Sequence, residues 1–298
     1  MGKVQGRTSE ESGLVGTQEA VNTTIIQVPF DSGHKDERMG CGPARLLRER
    51  SELPDAHVST ETVEIHDPFP LEVGTAFRLA VVLSGKVRQV RELNRFPLVL
   101  AGNCMSSIGT LAGLGDSRMG VIWLDAHGDF NTPETTASGF LDGMALATVT
   151  GRCWQGLTAS VPGFHAIPEG NVVLVGARDL DPKERESIQG SSMQVIEPKR
   201  VRNSGIRDST EAALSILRGR VERVYFHVDL DVLDVEEAHV NQFSSRDGLA
   251  LIELLQLIQI VRERFTVAAA SITAYDPVYD CGQKAAKAGV ALMKELMN

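Results

Sequence analysis

The sequence is short of aromatic residues, cysteines, long apolar runs and basic side chains, and each shortage closes off a class of protein. Thirty Lys plus Arg stand against 39 Asp plus Glu in 298 residues, a formal charge of −9. That balance opposes a broad phosphate-seeking face, so nucleic acid is not an expected partner. No stretch approaches the ~18 consecutive apolar residues of a membrane span, and the first residues lack the basic-then-apolar pattern of an export signal. The chain therefore reads as cytosolic and free of membrane. Four cysteines, Cys41, Cys104, Cys153 and Cys281, form no CxxC pair, which suits reduced thiols better than a disulfide framework or a zinc knuckle. With 5% aromatic, 42% hydrophobic and 23% charged residues, what remains is an ordinary globular protein.

Residues 1–22 are rich in Gly, Ser, Thr, Glu and Gln and read as a flexible tail. Beyond them come eight short apolar, β-branched runs: Thr24–Val28, Thr62–Ile65, Pro97–Ala101, Gly120–Leu124, Asn171–Gly176, Met193–Ile196, Arg223–Val228 and Val267–Ile272. Several are continuously apolar, as when helices cover both faces of a strand. Helix-like segments intervene at Leu71–Leu93, Thr210–Leu217, Leu249–Phe265 and Cys281–Met297. This alternation, without a composition break, predicts a single doubly wound α/β domain over 23–298 with a mainly parallel sheet. Ligands then gather at the carboxyl ends of the strands.

Two of those ends carry dense chemistry. The fourth run finishes in Trp123-Leu124-Asp125-Ala126-His127-Gly128-Asp129, and alternation along an extended segment lets Asp125, His127 and Asp129 converge. The seventh finishes in His227-Val228-Asp229-Leu230-Asp231, where Asp229 and Asp231 repeat the spacing. Either cluster alone could be solvated loop ends or helix caps. Together they offer five carboxylate and imidazole donors, enough for a pair of divalent cations of the manganese or iron kind. Trp123 is assigned to the core and His227 to packing or hydrogen bonding.

The stretch Asp125-Ala126-His127-Gly128-Asp129-Phe130-Asn131-Thr132-Pro133 up to Ser138-Gly139, the stretch from His227 to Asp234, and the turn Gly40-Cys41-Gly42-Pro43 resemble the arginase family, ureohydrolases that cleave guanidino compounds at a binuclear manganese centre. The resemblance spans nearly the whole chain. It implies a three-layer αβα sandwich around an eight-stranded sheet, two Mn2+ ions, a small arginine-like substrate and a trimeric or hexameric assembly. It also implies roles: Asp125, His127, Asp129, Asp229 and Asp231 as metal ligands, with Asp129 orienting the nucleophile, a hydroxide bridging the metals. Arg178-Asp179-Leu180-Asp181-Pro182-Lys183-Glu184 is similar to the segment that binds the substrate α-amino group, and Asn131 and Ser138 match positions near the α-carboxylate. Asp181, Glu184, Asn131 and Ser138 would then clamp the amino-acid end. The same segment also reads as a loop entering a helix, with Asp181 as N-cap and Pro182 at N1.

Three positions depart from the family pattern. The GGDHS-type motif is Ala101-Gly102-Asn103-Cys104-Met105, which puts Cys104 at a His ligand position, softer and proton-bearing, or else a small buried hydrophobe. The proton-shuttling His is replaced by Asp142 in Phe140-Leu141-Asp142-Gly143-Met144. The late Glu that contacts the guanidinium aligns with Ala274, although a slip of one or two residues offers Asp276. The last two changes point to a less basic substrate, and Nω-hydroxy-L-arginine, cleaved to hydroxyurea and L-ornithine, is the expected one. Ordinary arginine or another ω-guanidino or amidino acid remains an alternative, as does a non-catalytic regulatory relative. A zinc deacetylase of the related branch is disfavoured by the stretch from Asn131 to Ser138 and by the clamp.

Overall fold

A computed structural model describes residues 22–50, 57–66 and 71–298. Apart from Asn22, the tail expected over 1–22 lies outside the described residues. The strands are β1 (Thr23–Val28), β2 (Phe30–Asp31), β3 (His34–Lys35), β4 (Val58–Thr62), β5 (Phe96–Ala101), β6 (Met119–Leu124), β7 (Val172–Val175), β8 (Gln194–Ile196), β9 (Arg223–Asp229) and β10 (Thr266–Thr273). The helices are α1 (Gly42–Arg48), α2 (Glu72–Glu92), α3 (Ser106–Leu114), α4 (Ala145–Val149), α5 (Gln155–Thr158), α6 (Pro182–Gln189), α7 (Pro198–Arg218), α8 (Leu251–Arg262) and α9 (Lys284–Met297).

Eight strands form one sheet in the order β4-β1-β5-β10-β9-β6-β7-β8, and β2 pairs with β3 in a small ribbon. Every pairing in the large sheet is parallel, a step beyond the mainly parallel sheet expected. Successive residues of its strands feed two separate cores. Ile25, Leu100, Ile122, Phe226 and Val228 pack with Leu46, Leu214, Leu254 and Leu292 from α1, α7, α8 and α9. Ile26, Val99, Val121, Trp123 and Tyr225 pack with Leu83, Ile108 and Leu146 from α2, α3 and α4. This two-sided burial is why the strands read as unbroken apolar runs. Each fully buried Leu or Ile contributes about 1.5–3 kcal/mol, which holds the strand ends in fixed register.

Two elements differ from expectation. The second strand is Val58–Thr62 rather than Thr62–Ile65. It is a half-exposed polar edge strand, so its pairing with β1 leaves no apolar signature. The helix expected at Thr210–Leu217 extends back to Pro198 across a kink at Gly205, whose φ is 74°. The polar first half, Pro198-Lys199-Arg200, carries too few apolar residues to announce itself. Among the described residues no helix is long and apolar enough to cross a membrane.

The topology decides where chemistry can occur. After β5 the chain passes over two sheet positions to form β6, and β9 and β10 later fill the gap. The four central strands, β5, β10, β9 and β6, thus come from distant parts of the sequence and release their carboxyl ends side by side.

Candidate metal centre and substrate cleft

Register builds the site. Parallel pairing sets Leu124 beside Val228 and Asp229 beside Thr273, so Asp125, Asp229 and Thr273 line up across three strands. Cys104, three residues past β5, approaches from the fourth: its Sγ lies 3.1 Å from Asp229 Oδ2 and 3.1 Å from Thr273 Oγ1. The backbone must come close here. A Cβ at Gly102 would sit 2.2 Å from the Phe30 carbonyl oxygen, and one at Gly42 would sit 2.2 Å from that of Tyr275. Asp129 and Ala274 both hold left-handed backbone, with φ of 48° and 61°. Such strain in non-glycine residues gathers where a site over-determines the chain.

Two donor groups result. Cys104, Asp125 and Asp229 place one ligand atom each within 4.8 Å of one another, and so do Asp125, His127 and Asp231. Asp125 belongs to both. Asp129 joins neither trio, but its Oδ2 is buried without a hydrogen-bond partner. Among the described residues the ion pairs of Asp125 and Asp231 are with His127, at 3.3 and 3.4 Å. Four buried carboxylates with so little positive charge around them repel one another. Burial first, then Asp125, pushes Asp129 well above the usual carboxylate range. Burial and Asp231 do the same to Asp229, and to a lesser degree to Asp125. Asp231 alone falls below its usual value: burial opposes this, but His127 and hydrogen bonds from Ala126 N and Asn241 outweigh it. Burial would lower His127, yet Asp231 and Asp125 hold it well above the ordinary imidazole value. Burial, with Asp229 and Asp142, drives the Cys104 thiol up. The donor types, the repulsion and the unpartnered Asp129 oxygen fit a pair of divalent cations.

A cavity of ≈ 270 Å³ opens above these groups. Asn131, Ser138, Asp181, Glu184, Asp142 and Ala274 all line it, together with Cys104, His127, Asp129, Asp229 and Asp231. Asp276 does not; its backbone N–H donates to the Val240 carbonyl and its carboxylate accepts from Val278 N. The alternative alignment through Asp276 therefore places no acid in the cleft. Asp181 caps α6, with Pro182 opening the helix, and its N–H donates to Glu184 Oε2. The other Glu184 oxygen accepts from Phe130 N at 2.9 Å, and Asn131 Nδ2 donates to Asp181 Oδ2 at 3.1 Å. Burial raises Glu184 to about 7. Asp142 also rises to about 7 through burial, against the hydrogen bonds it accepts from Met105 N and Asn103.

Several supporting residues escape a sequence reading. Trp123 is in the core as expected, but its Nε1–H donates to Asp125 Oδ2. Asn241 Nδ2 donates to Asp231 Oδ2 and to the Ala274 carbonyl, bridging two strand ends. His227 stacks on Trp123 with ring centroids 3.7 Å apart. Its Nε2 lies 3.3 Å from Cys104 Sγ. Period-two alternation puts His227 on the face of Asp229, and that signal alone locates it; nothing in the sequence marks Asn241 or Thr273.

A family model described as the Arginase family matches residues 21–298. The arginase of Bacillus caldovelox is 32% identical over 295 residues, spanning 92% of this chain and 97% of the relative. The arginase of Bacillus subtilis is 30% identical over 288 residues, with the same coverage. The crystal structure of arginase from Bacillus cereus superposes with a TM-score of 0.83 at 28% identity, covering 93% of this chain and 98% of that one.

Proposed function

The chain belongs to the arginase family, hydrolases of non-peptide C–N bonds in linear amidines, and on that premise we propose that it hydrolyses Nω-hydroxy-L-arginine to hydroxyurea and L-ornithine. The observation that carries the proposal is Ala274 in the wall of the cleft, at the position the resemblance gives to a guanidinium-binding carboxylate. A hydroxylated guanidine is less basic than that of arginine and needs that carboxylate less.

Cys104, Asp125 and Asp229 would hold one Mn2+ and Asp125, His127 and Asp231 the other. When bound, such a pair supplies Lewis acidity and makes water a nucleophile near neutral pH. The remaining work falls to the chain. Asp129, also expected as a ligand, orients the attacking water with its free buried oxygen. Asp142, raised to about 7, is protonated in an appreciable fraction at neutral pH and passes that proton to the departing amine. Asp181 and Glu184 receive the α-amino group, and Asn131 and Ser138 the α-carboxylate. Binding the unreactive end this way positions the reacting carbon. The reading includes a trimer or hexamer, which sedimentation of the purified protein would measure.

Manganese-reconstituted protein offered arginine and Nω-hydroxyarginine separately should consume the second faster. Faster release of urea from arginine would make it an ordinary arginase, the reading its similarity to the Bacillus enzymes favours. Consumption of neither would point to the non-catalytic relative.

A further inference from the structure

We infer that His227 is a positioning residue for Cys104: its Nε2–H donates to Sγ and aims the sulfur at the cation position shared with Asp125 and Asp229. The inference rests on the metal-centre reading given above.

Three contacts surround the sulfur: Asp229 Oδ2 at 3.1 Å, Thr273 Oγ1 at 3.1 Å and His227 Nε2 at 3.3 Å. The opposite ring nitrogen, Nδ1, is 2.8 Å from the Tyr225 hydroxyl. Tyr225 and His227 are both fully buried, so water cannot substitute for either. The tautomer inferred has the Tyr225 hydroxyl donating to Nδ1 and the ring proton on Nε2, where Sγ at 3.3 Å is the nearer neighbour and Thr273 Oγ1 lies at 3.4 Å; the Sγ proton goes to Asp229. A thiolate at Cys104 would keep the imidazole N–H as its donor. The ring cannot easily turn away, because it stacks on Trp123 at an interplanar angle of 16° and the two residues are register partners on β6 and β9.

The pattern of departures gives the arrangement its meaning. The resemblance gives His at position 104; this chain has Cys there, and the imidazole of His227 touches it instead. The imidazole is kept inside the site but moved from ligand to donor for the ligand. An N–H aimed at a metal ligand from outside typically matters by about 10–100-fold in metal affinity.

The test uses full-length protein loaded with Co2+, whose thiolate-to-cobalt charge-transfer band reports the Cys104 bond directly. His227→Phe keeps the ring stacking and removes the donor; the cobalt affinity of the thiolate site should fall about 10–100-fold with a shifted or weakened band. His227→Gln, which carries an N–H near the Nε2 position, should recover most of both. Unchanged band and affinity in His227→Phe, with two cobalt equivalents in the parent, overturn this inference and leave the metal centre standing. A parent that takes up no metal overturns the metal reading and this inference with it. Should His227→Phe fail to fold, ring-nitrogen NMR of the parent still decides: an Nε2-protonated His227 is expected, and an Nδ1-protonated one overturns the assignment.

Discussion

The two donor trios share Asp125 but differ in everything else. The deep one, Cys104 with Asp125 and Asp229, is wholly buried and holds the sulfur; the outer one pairs two carboxylates with His127, whose side chain is 28% exposed. The deep trio is braced by Trp123, Thr273 and His227, all buried side chains from strands of the sheet. The outer one leans on Asn241 and on the single 3-10 turn, Leu230–Val232, that follows β9 and carries Asp231. On the proposed reading one fold would offer two unequal cation positions, a soft one with the sulfur and a harder, more open one beside the cleft. A site built on strand ends inherits its rigidity from the sheet, whereas one built partly on a loop depends on what ties the loop down.

The sharpest way to break this comparison is to remove the shared carboxylate. Asp125→Ala should lose both metal equivalents, whereas Asp231→Ala should lose only the outer one, as read by metal content after dialysis. An Asp125→Ala protein retaining a full equivalent would show that the positions do not share a ligand.

Acid should separate the two positions next. Before metal binds, Cys104 and Asp229 hold protons well above their usual range, and His127 holds one at the outer position. Binding expels these protons, so affinity rises with pH by about tenfold per unit for each proton released. The deep position, releasing about two, should show the steeper slope in competition titrations with a chromophoric chelator. Equal slopes would contradict the inequality.

A smaller effect should come from Arg178, whose guanidinium donates to the carbonyls of Gly176, Asp231, Val232, Leu233, Ser245 and Arg246. It ties the backbone of the outer site to its neighbours. Arg178→Met strands these acceptors and should cost about 3 kcal/mol in denaturant unfolding, weakening the outer cation while sparing the deep one. Smaller still, Ala274→Glu should shift preference toward arginine by about 10–100-fold in kcat/KM, the worth of one hydrogen bond to a charged group.

The same contrast explains what the sequence disclosed. The central strands announced themselves because both faces are buried, and the DxHxD and DxD clusters because several donors fall at one strand end. Edge strand β4 and the first half of α7 stayed silent, being polar and held by pairing or by a glycine kink rather than by apolar period. Asn241 and Thr273 were invisible for a different reason, as was the role of Arg178. Each works through contacts such as Asn241 to the Ala274 carbonyl, Thr273 to Cys104 and Arg178 to Ser245, between segments that only the fold brings together. His227 lay between: its parity with Asp229 was legible, its contact with Cys104 was not, since β5 and β9 meet only through β10.

The most direct test of the central claim is anomalous diffraction from crystals of the metal-loaded protein, collected at the absorption edge of the bound ion. The account predicts two cation peaks flanking Asp125, one bonded to Cys104 Sγ and the other to His127. A single peak, or two peaks with Cys104 unligated, would contradict it.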